Sequence, residues 1–303
     1  MLCQRKLGLG LLGLAILLPC TILAGSARAQ DVVEKPVRIG MVGSLFTDVN
    51  PIMTRIGSVM FAGLMKQSTG MDGEMVTGGD PITLGKNLHD GKLDLAVFHG
   101  VEFAWAQQQY PDLKPLMLAI TKYKQTQARI VVAKDGPIAN FNELAGKTLI
   151  MPLFTREHCR LFLDRCCREA GAENPNKFFG KVTKLNIESA LDEVGLGTVG
   201  ATVVDAVALE KYEILKPGCA ARLRVLKSSE MFPTGVIAYR DGGLKEEVLA
   251  KFRDGLVNGG ATDVGKELFL TFQITSFDAV TEAYAQQLAE IIKIYPAPGV
   301  SPK

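Results

Sequence analysis

The feature that most restricts the fold is a regular alternation of short apolar runs with longer segments of helical spacing. "PVRIGMVG" (36–43) reads as a strand and "SLFTDVNP" as the loop after it. In "IMTRIGSVMFAGLMKQSTG" apolar residues then recur at helical spacing until Gly70 stops them. "EMVTGG" reads as a second strand and "PITLGKNLHDGKL" as a second helix; "DLAVFHG" is a buried strand ending at His99, and "VEFAWAQQQYP" opens another helix. Strand and helix at these intervals build βαβ units and a parallel sheet.

The same grammar returns further on. "QARIVVAKDGPI" reads as a strand with a turn, "NFNELAG" as a short helix and "KTLIMP" as a strand, after which "MPLFTREHCRLFLDRCCREAG" (151–171) runs from a strand end into a long helix. "KVTKLN" (strand), "IESALDEVGLG" (helix) and "GATVVD" (strand ending at Asp205) follow, then two returning strands, "ARLRVLKSS" and "TGVIAYRDG". The tail from Leu244 to Tyr295 reads as mostly helical. These strands suffice for two α/β lobes, each a mostly parallel sheet flanked by helices. In such sheets ligands sit at the carboxyl ends of strands, where helix N-termini point N–H groups outward.

The first 29 residues stand outside this pattern. Arg5 and Lys6 precede a twelve-residue apolar run, Leu7 to Leu18, and "SARAQ" places Ala27 and Ala29 at the small-residue positions of a cleavage site. This is the anatomy of a secretory signal peptide, with its best-fitting cut between Ala29 and Gln30, and it predicts an exported protein. Twelve helical residues span only about 18 Å, short of a bilayer core, so a membrane anchor is disfavoured. No run of membrane-spanning length follows, so no membrane insertion of the mature chain is expected. The segment holds three of the 34 Lys and Arg and none of the 32 acids, leaving 31 bases against 32 acids. No basic excess remains to suggest nucleic acid as a partner.

Four cysteines follow the cut: Cys159, Cys166, Cys167 and Cys219. Export permits disulfides. Cys159 and Cys166 share a helical face but lie about 10 Å apart, beyond disulfide reach. A bond from the Cys166–Cys167 pair to Cys219 stays geometrically open, beside free buried thiols.

Three segments carry a family resemblance. "LHDGKLDLAVFHG", "IVVAKDGPIANFNELAGKTLIM" and "LRVLKSSEMFPTGVIAYRDGGLKEEV" resemble, in order and spacing, the phosphate/phosphonate-type periplasmic solute-binding proteins of ABC transporters, over roughly residues 37 to 295. The resemblance implies a type 2 periplasmic-binding fold with a two-strand hinge that closes on ligand. One lobe would combine 30–124 with 230–303, and the other would be 125–229. It also implies a small anionic ligand, a membrane ABC permease as partner, and no cofactor. The binding motifs diverge. The family's Ser-Thr-Ser-Gly-Tyr anion loop is matched by Phe154-Thr155-Arg156-Glu157-His158, which keeps one hydroxyl. The family's "GP..Y" is matched by His99-Gly100-Val101-Glu102-Phe103, without the Tyr. Its "G.H" segment falls on Leu185 to Ser189, without the His, and the Asp of its "G.vDA" strand falls on Gly200.

The candidate ligand-binding residues are Ser44, His99, Gly100, Thr155, Arg156, His158 and Asp205. Thr155 is expected either to cap the helix or, with the free first-turn amides, to hold an oxyanion. Arg156 would add a bidentate contact, which Glu157 opposes. His99 is expected to cap the helix starting near Gly100 or to donate to the ligand. Ser44 closes from the first loop. Asp205 would receive an amino group or anchor the hinge. Trp105 and Tyr110 read as core. Two other readings remain: a diverged receptor of the same fold with a different ligand or none, and an exported enzyme using Cys159 or a metal. One helix cannot converge His158 and the cysteines on a point, so a metal site would need a further ligand from Cys219 or Glu188.

Overall fold

The computed structural model describes residues 35–77 and 79–298; the expected export segment lies outside them. The chain begins with β1 (Val37–Met41), α1 (Pro51–Thr69), β2 (Gly73–Thr77), α2 (Pro81–His89), β3 (Leu95–Phe98), α3 (Gly100–Gln109) and β4 (Leu113–Ile120). It leaves through the short β5 (Gln125–Thr126) into β6 (Ala128–Ala133), β7 (Thr148–Ile150), α4 (Glu157–Glu169), α5 (Pro175–Phe178), β8 (Lys181–Thr183), α6 (Ile187–Leu196), β9 (Ala201–Asp205), α7 (Ala206–Leu215), α8 (Pro217–Ala220) and β10 (Leu223–Ser228). It returns through β11 (Phe232–Pro233) to β12 (Gly235–Arg240), α9 (Glu246–Gly259), α10 (Asp263–Phe272), β13 (Ser276–Ala279) and α11 (Glu282–Ile294).

The strands form a six-stranded sheet in the order β13-β4-β12-β3-β1-β2 and a five-stranded sheet in the order β10-β6-β9-β7-β8. β5 and β11 pair antiparallel as a separate two-stranded ribbon, the hinge between the two lobes. Parallel pairing holds where the βαβ reading expects it, between β1, β2 and β3 and between β7, β8 and β9. The strands beside the crossover pair antiparallel, so each sheet is mixed. The tail is helical as expected except for β13, which pairs with β4 at the sheet edge.

Side-chain alternation puts a core on each face of each sheet. In β12, Val236 and Ala238 join a core with Leu84, Leu88, Phe103 and Trp105, whereas Ile237 joins Ile39, Leu64, Phe252 and Phe277. In β6, Ile130 and Val132 pack with Leu149, Phe162 and the cysteines of α4, and Val131 packs with Leu191, Val194 and Tyr212. Trp105 is core as expected, and its Nε1 donates to the Tyr295 carbonyl at 2.7 Å. Cys159, Cys166 and Cys167 are buried free thiols on the packed face of α4, and Cys219 is an exposed free thiol.

The helix termini explain how the site is aimed. Asn50 and Asp80 cap α1 and α2 through their side chains, each with Pro at the first helical position. Asn186 does the same for α6. The N-caps of α3 and α4, His99 and Arg156, make no side-chain cap bond, a trait they share with α8, α9 and α11. These two uncapped termini belong to the two different lobes.

Candidate functional site

In the first lobe, β1 and β3 deliver Ser44 and His99 past the carboxyl edge of the sheet. Ser44 does not point a free hydroxyl at a ligand: its Oγ donates to Glu102 Oε2 at 2.8 Å. Glu102, at the third position of α3, is 3% exposed. Burial pushes its carboxyl up to about 8, partly offset by the Ser44 hydroxyl and the His99 backbone N–H. The carboxyl reaching back to the N-cap amide is half of a capping box, so the His99 ring is free of the capping role. Its Nε2 is buried and finds no hydrogen-bond partner among the described residues. Burial, with His158 and Arg156 nearby, holds the ring down to about 3. His99 is therefore a neutral imidazole facing the second lobe.

Gly100 is fixed by close packing of its backbone against the segment around β11. A Cβ there would lie 2.4 Å from the Pro233 carbonyl oxygen and 2.5 Å from that of Thr234. The hinge strand β11 thus presses on the first turn of α3, which only a glycine permits.

In the second lobe the helix starts one residue later than the sequence suggests. Phe154 takes a left-handed conformation (φ 60°), and the Thr155 hydroxyl donates to the Pro152 carbonyl. Thr155 is thus spent inside the turn and is neither the N-cap nor an exposed anion donor, and Arg156 becomes the cap residue. The Arg156 guanidinium reaches over to Gln273 Oε1 of the first lobe at 3.0 Å. His158 is buried, with Nε2 2.9 Å from Asp205 Oδ2. That approach is an ion-pair distance without good hydrogen-bond alignment, and Asp205 Oδ2 has no aligned donor among the described residues. Asp205 also caps α7 through the Val207 N–H at 2.8 Å. Burial raises its carboxyl, but His158 and Arg156 outweigh that and hold it below the usual range. Asp205 is thus tied to the start of α7 through Oδ1 and lies beside His158 through Oδ2.

Cys159 Sγ lies 3.4 Å from His158 Nε2, the same nitrogen that approaches Asp205. A nucleophile–base–acid relay uses the two ring nitrogens separately, so this trio cannot run one. Burial, reinforced by the Asp205 carboxylate, pushes the Cys159 thiol well up. A protonated, packed thiol is a poor nucleophile. Among the described residues no group of three His, Cys, Asp or Glu side chains is placed to hold a metal, and no helix is long and apolar enough to cross a membrane.

The sequence reading missed four further residues at the seam. Asp48, in the loop after β1, pairs with Lys184 and with Arg160, whose Nη2 lies 3.2 Å from Oδ2. Gln273 ends α10 and receives Arg156. The available signal was the polar loop "TDVN" directly behind a strand's carboxyl end. The basic residues that answer it come from separate elements, and sequence spacing cannot join them.

The comparisons with known proteins agree with this fold. The family described as "ABC transporter, phosphonate, periplasmic substrate-binding protein" matches residues 58–284. The chain belongs to that family. By sequence no curated protein matches it. Among solved structures, a binding-protein component of an ABC phosphonate transporter from Pseudomonas aeruginosa aligns with a TM-score of 0.55 at 16% identity, covering 88% of this chain and 91% of its own. PhnD1 from Prochlorococcus marinus, in complex with methylphosphonate, gives 0.58 at 15% identity, covering 86% and 98%. A Xanthomonas citri protein bound to ATP gives 0.55 at 15%, covering 84% and 94%. At these identities the structures establish the type 2 periplasmic-binding fold. As a phosphonate-binding-family protein this chain belongs with the periplasmic substrate-binding proteins of ABC transporters.

Proposed function

We propose that this protein is an exported solute receptor, its signal peptide cut near Ala29, that captures a small oxyanion of the phosphate/phosphonate class between two lobes. Closure, not covalent chemistry, would deliver the ligand to a membrane ABC permease. The lobes would be 30–124 with 230–303, and 125–229. One observation carries the reading: a neutral, buried imidazole nitrogen, His99 Nε2, lacks a partner among the described residues where two uncapped helix N-termini from opposite lobes meet Arg156. A buried polar atom of this kind calls for a partner. Helix N-termini favour a negative one, because their first-turn N–H groups and the helix dipole both point at it. Arg156 adds a bidentate donor once it lets go of Gln273.

The test is thermal unfolding of the chain from residue 30 against phosphate, phosphite, methylphosphonate, sulfate and small carboxylates. A bound oxyanion at a hundred times its dissociation constant adds about 2.7 kcal/mol, raising the melting temperature by roughly 5 to 10 °C. Stabilisation by one member, lost in Arg156→Ala and in His99→Ala, is the expected result. No stabilisation by any member removes the oxyanion reading. The commitment of Ser44, Thr155 and Arg156 to partners within the protein would then favour a diverged receptor of the same fold with a different ligand or none.

A further inference from the structure

Asp48 reaches across the cleft. It lies in the first lobe, beyond the turn at Gly43–Phe46 that follows β1, and its side chain is only 13% exposed although the loop is at the surface. One carboxylate oxygen accepts from Lys184, just after β8; the other accepts from Arg160 Nη2 on α4 at 3.2 Å. Both cations belong to the second lobe. Arg160 is itself fixed, its Nε donating to the Thr155 carbonyl at 3.1 Å. Burial raises the Asp48 carboxyl, but Lys184, Arg160 and the Phe154 backbone N–H outweigh it and hold the group below its ordinary range.

The backbone tells the same story independently. Among the described residues, the non-glycine positions with positive φ are Asp48 (66°), Phe154 (60°) and Gln273 (53°). All three lie on this seam: Asp48 holds Lys184 and Arg160, Phe154 gives its N–H to Asp48, and Gln273 holds Arg156. Left-handed backbone costs a non-glycine residue about 1 kcal/mol or more and persists only where surrounding contacts impose it. Gln273 is held this way within its own lobe, as the C-cap of α10, where the Ile274 N–H reaches the Phe269 carbonyl at 2.8 Å; the contacts on Asp48 run between lobes.

We infer that Asp48 is a built-in latch, an intramolecular carboxylate that bridges the cleft to Lys184 and Arg160 and holds the lobes together before any ligand arrives. A receptor of this kind draws part of its closing free energy from its own chain. The binding-competent closed form is then well populated at rest, and apparent affinity rises by the same fraction. The latch also neutralises the cationic lip of the second lobe, so a ligand anion is drawn to the interior pole at Arg156 and not to the rim. This inference does not depend on which ligand binds.

The test uses ligand-free protein. Asp48→Asn removes the charge while keeping a residue that tolerates left-handed backbone; Lys184→Met removes one partner; the double variant closes the cycle. Small-angle scattering reads the radius of gyration, and amide hydrogen exchange reads the segment 153–160. Asp48→Asn is expected to enlarge the radius and to speed exchange by roughly fivefold, the upper end for a partly exposed ion pair. Lys184→Met should do less, because Arg160 remains, and the double variant should match Asp48→Asn alone. High salt should open the wild type and leave Asp48→Asn unchanged. Unchanged scattering and exchange in Asp48→Asn, with its melting temperature intact, would overturn the latch, as would effects of the two substitutions that simply add.

Discussion

Gly100→Ala is expected to destabilise the protein by at least about 3 kcal/mol, the upper end of what an added methylene costs in a packed site. The added Cβ would stand 2.4 Å from the Pro233 carbonyl oxygen and 2.5 Å from the Thr234 carbonyl oxygen. Backbone cannot step aside as a flexible side chain does, and these two carbonyls belong to a braced segment. The Thr234 hydroxyl donates to the Ala119 carbonyl at 2.6 Å, and the Thr234 carbonyl accepts from the buried Tyr284 hydroxyl at 3.0 Å. Phe232 packs against the Tyr295 ring at 4.6 Å, and Tyr295 bonds Glu230 at 2.7 Å. Relief of the clash therefore requires the hinge ribbon or the start of α3 to move, and either shift displaces His99. Urea unfolding measures the loss. Gly63→Ala supplies the contrast, because a Cβ at Gly63, in the body of α1, meets nothing within 4 Å. Relieving a mid-helix glycine should raise stability by about 0.5 to 1 kcal/mol. A Gly100→Ala loss below about 1 kcal/mol would show that the ribbon yields, and the hinge would then be softer than its bracing indicates.

The parts of this fold that a sequence reader can recover are those governed by local periodicity. The βαβ segments, the helix stops at Gly70 and Gly197 and the strand ends at His99 and Asp205 follow from spacing and turn chemistry. β4 does not. Pro115 sits inside it, and a proline removes a ladder donor and argues against a central strand. Here the register shifts opposite Pro115, with Ile237 facing Met117 and Ala238 facing Pro115, so a bulge absorbs the missing donor. β13 hides for another reason: its four residues gain strand character only by pairing with the edge of β4.

The site divides in the same way. His99, Arg156, His158 and Asp205 were legible as ends of strands and starts of helices, and the structure brings them to one seam. What those ends bond to was not legible. Thr155 looked like a cap because a hydroxyl before a helical run usually is one, yet left-handed Phe154 turns it onto the Pro152 carbonyl. Ser44 looked free because Glu102 lies 58 residues away in sequence. The Asp48 bridge joins residues 112 and 136 positions apart. Contacts between lobes depend on how two rigid bodies meet, and no local pattern encodes that.

The buried pair His99 and Glu102 should give the protein a flat-topped pH–stability curve with two assignable limbs. The ordinary values are 6.5 and 4.5, and in the fold burial moves them in opposite senses, to about 3 and about 8. Between pH 4.5 and 6.5 the unfolded chain holds a proton on His99 that the fold refuses, while the fold holds one on Glu102 that the unfolded chain has lost. The two terms cancel and stability is level. Above 6.5 only Glu102 differs. The folded state then binds the extra proton, so stability falls as pH rises, by about 1.4 kcal/mol per unit and roughly 2 kcal/mol in all by pH 8. Below 4.5 only His99 differs. The unfolded state binds the extra proton, so stability falls as pH drops toward 3 by a similar amount. Glu157 and Asp164, also raised by burial, tilt the level stretch downward as pH rises past their ordinary values, while Asp48 and Asp205, held low, add to the acid limb. Variants separate the shares: Glu102→Gln should lose its part of the alkaline fall alone, and His99→Gln its part of the acid fall alone. An alkaline limb equally steep in Glu102→Gln would place its origin elsewhere. The same two protonation states set the sign of the cleft's first-lobe wall. At pH 7 His99 and Glu102 are both uncharged, leaving the N-terminus of α3 and, opposite, Arg156 to attract an anion. Once Glu102 ionises, a carboxylate stands beside that pole, so oxyanion affinity and stability should weaken together above pH 7 and become uncoupled in Glu102→Gln.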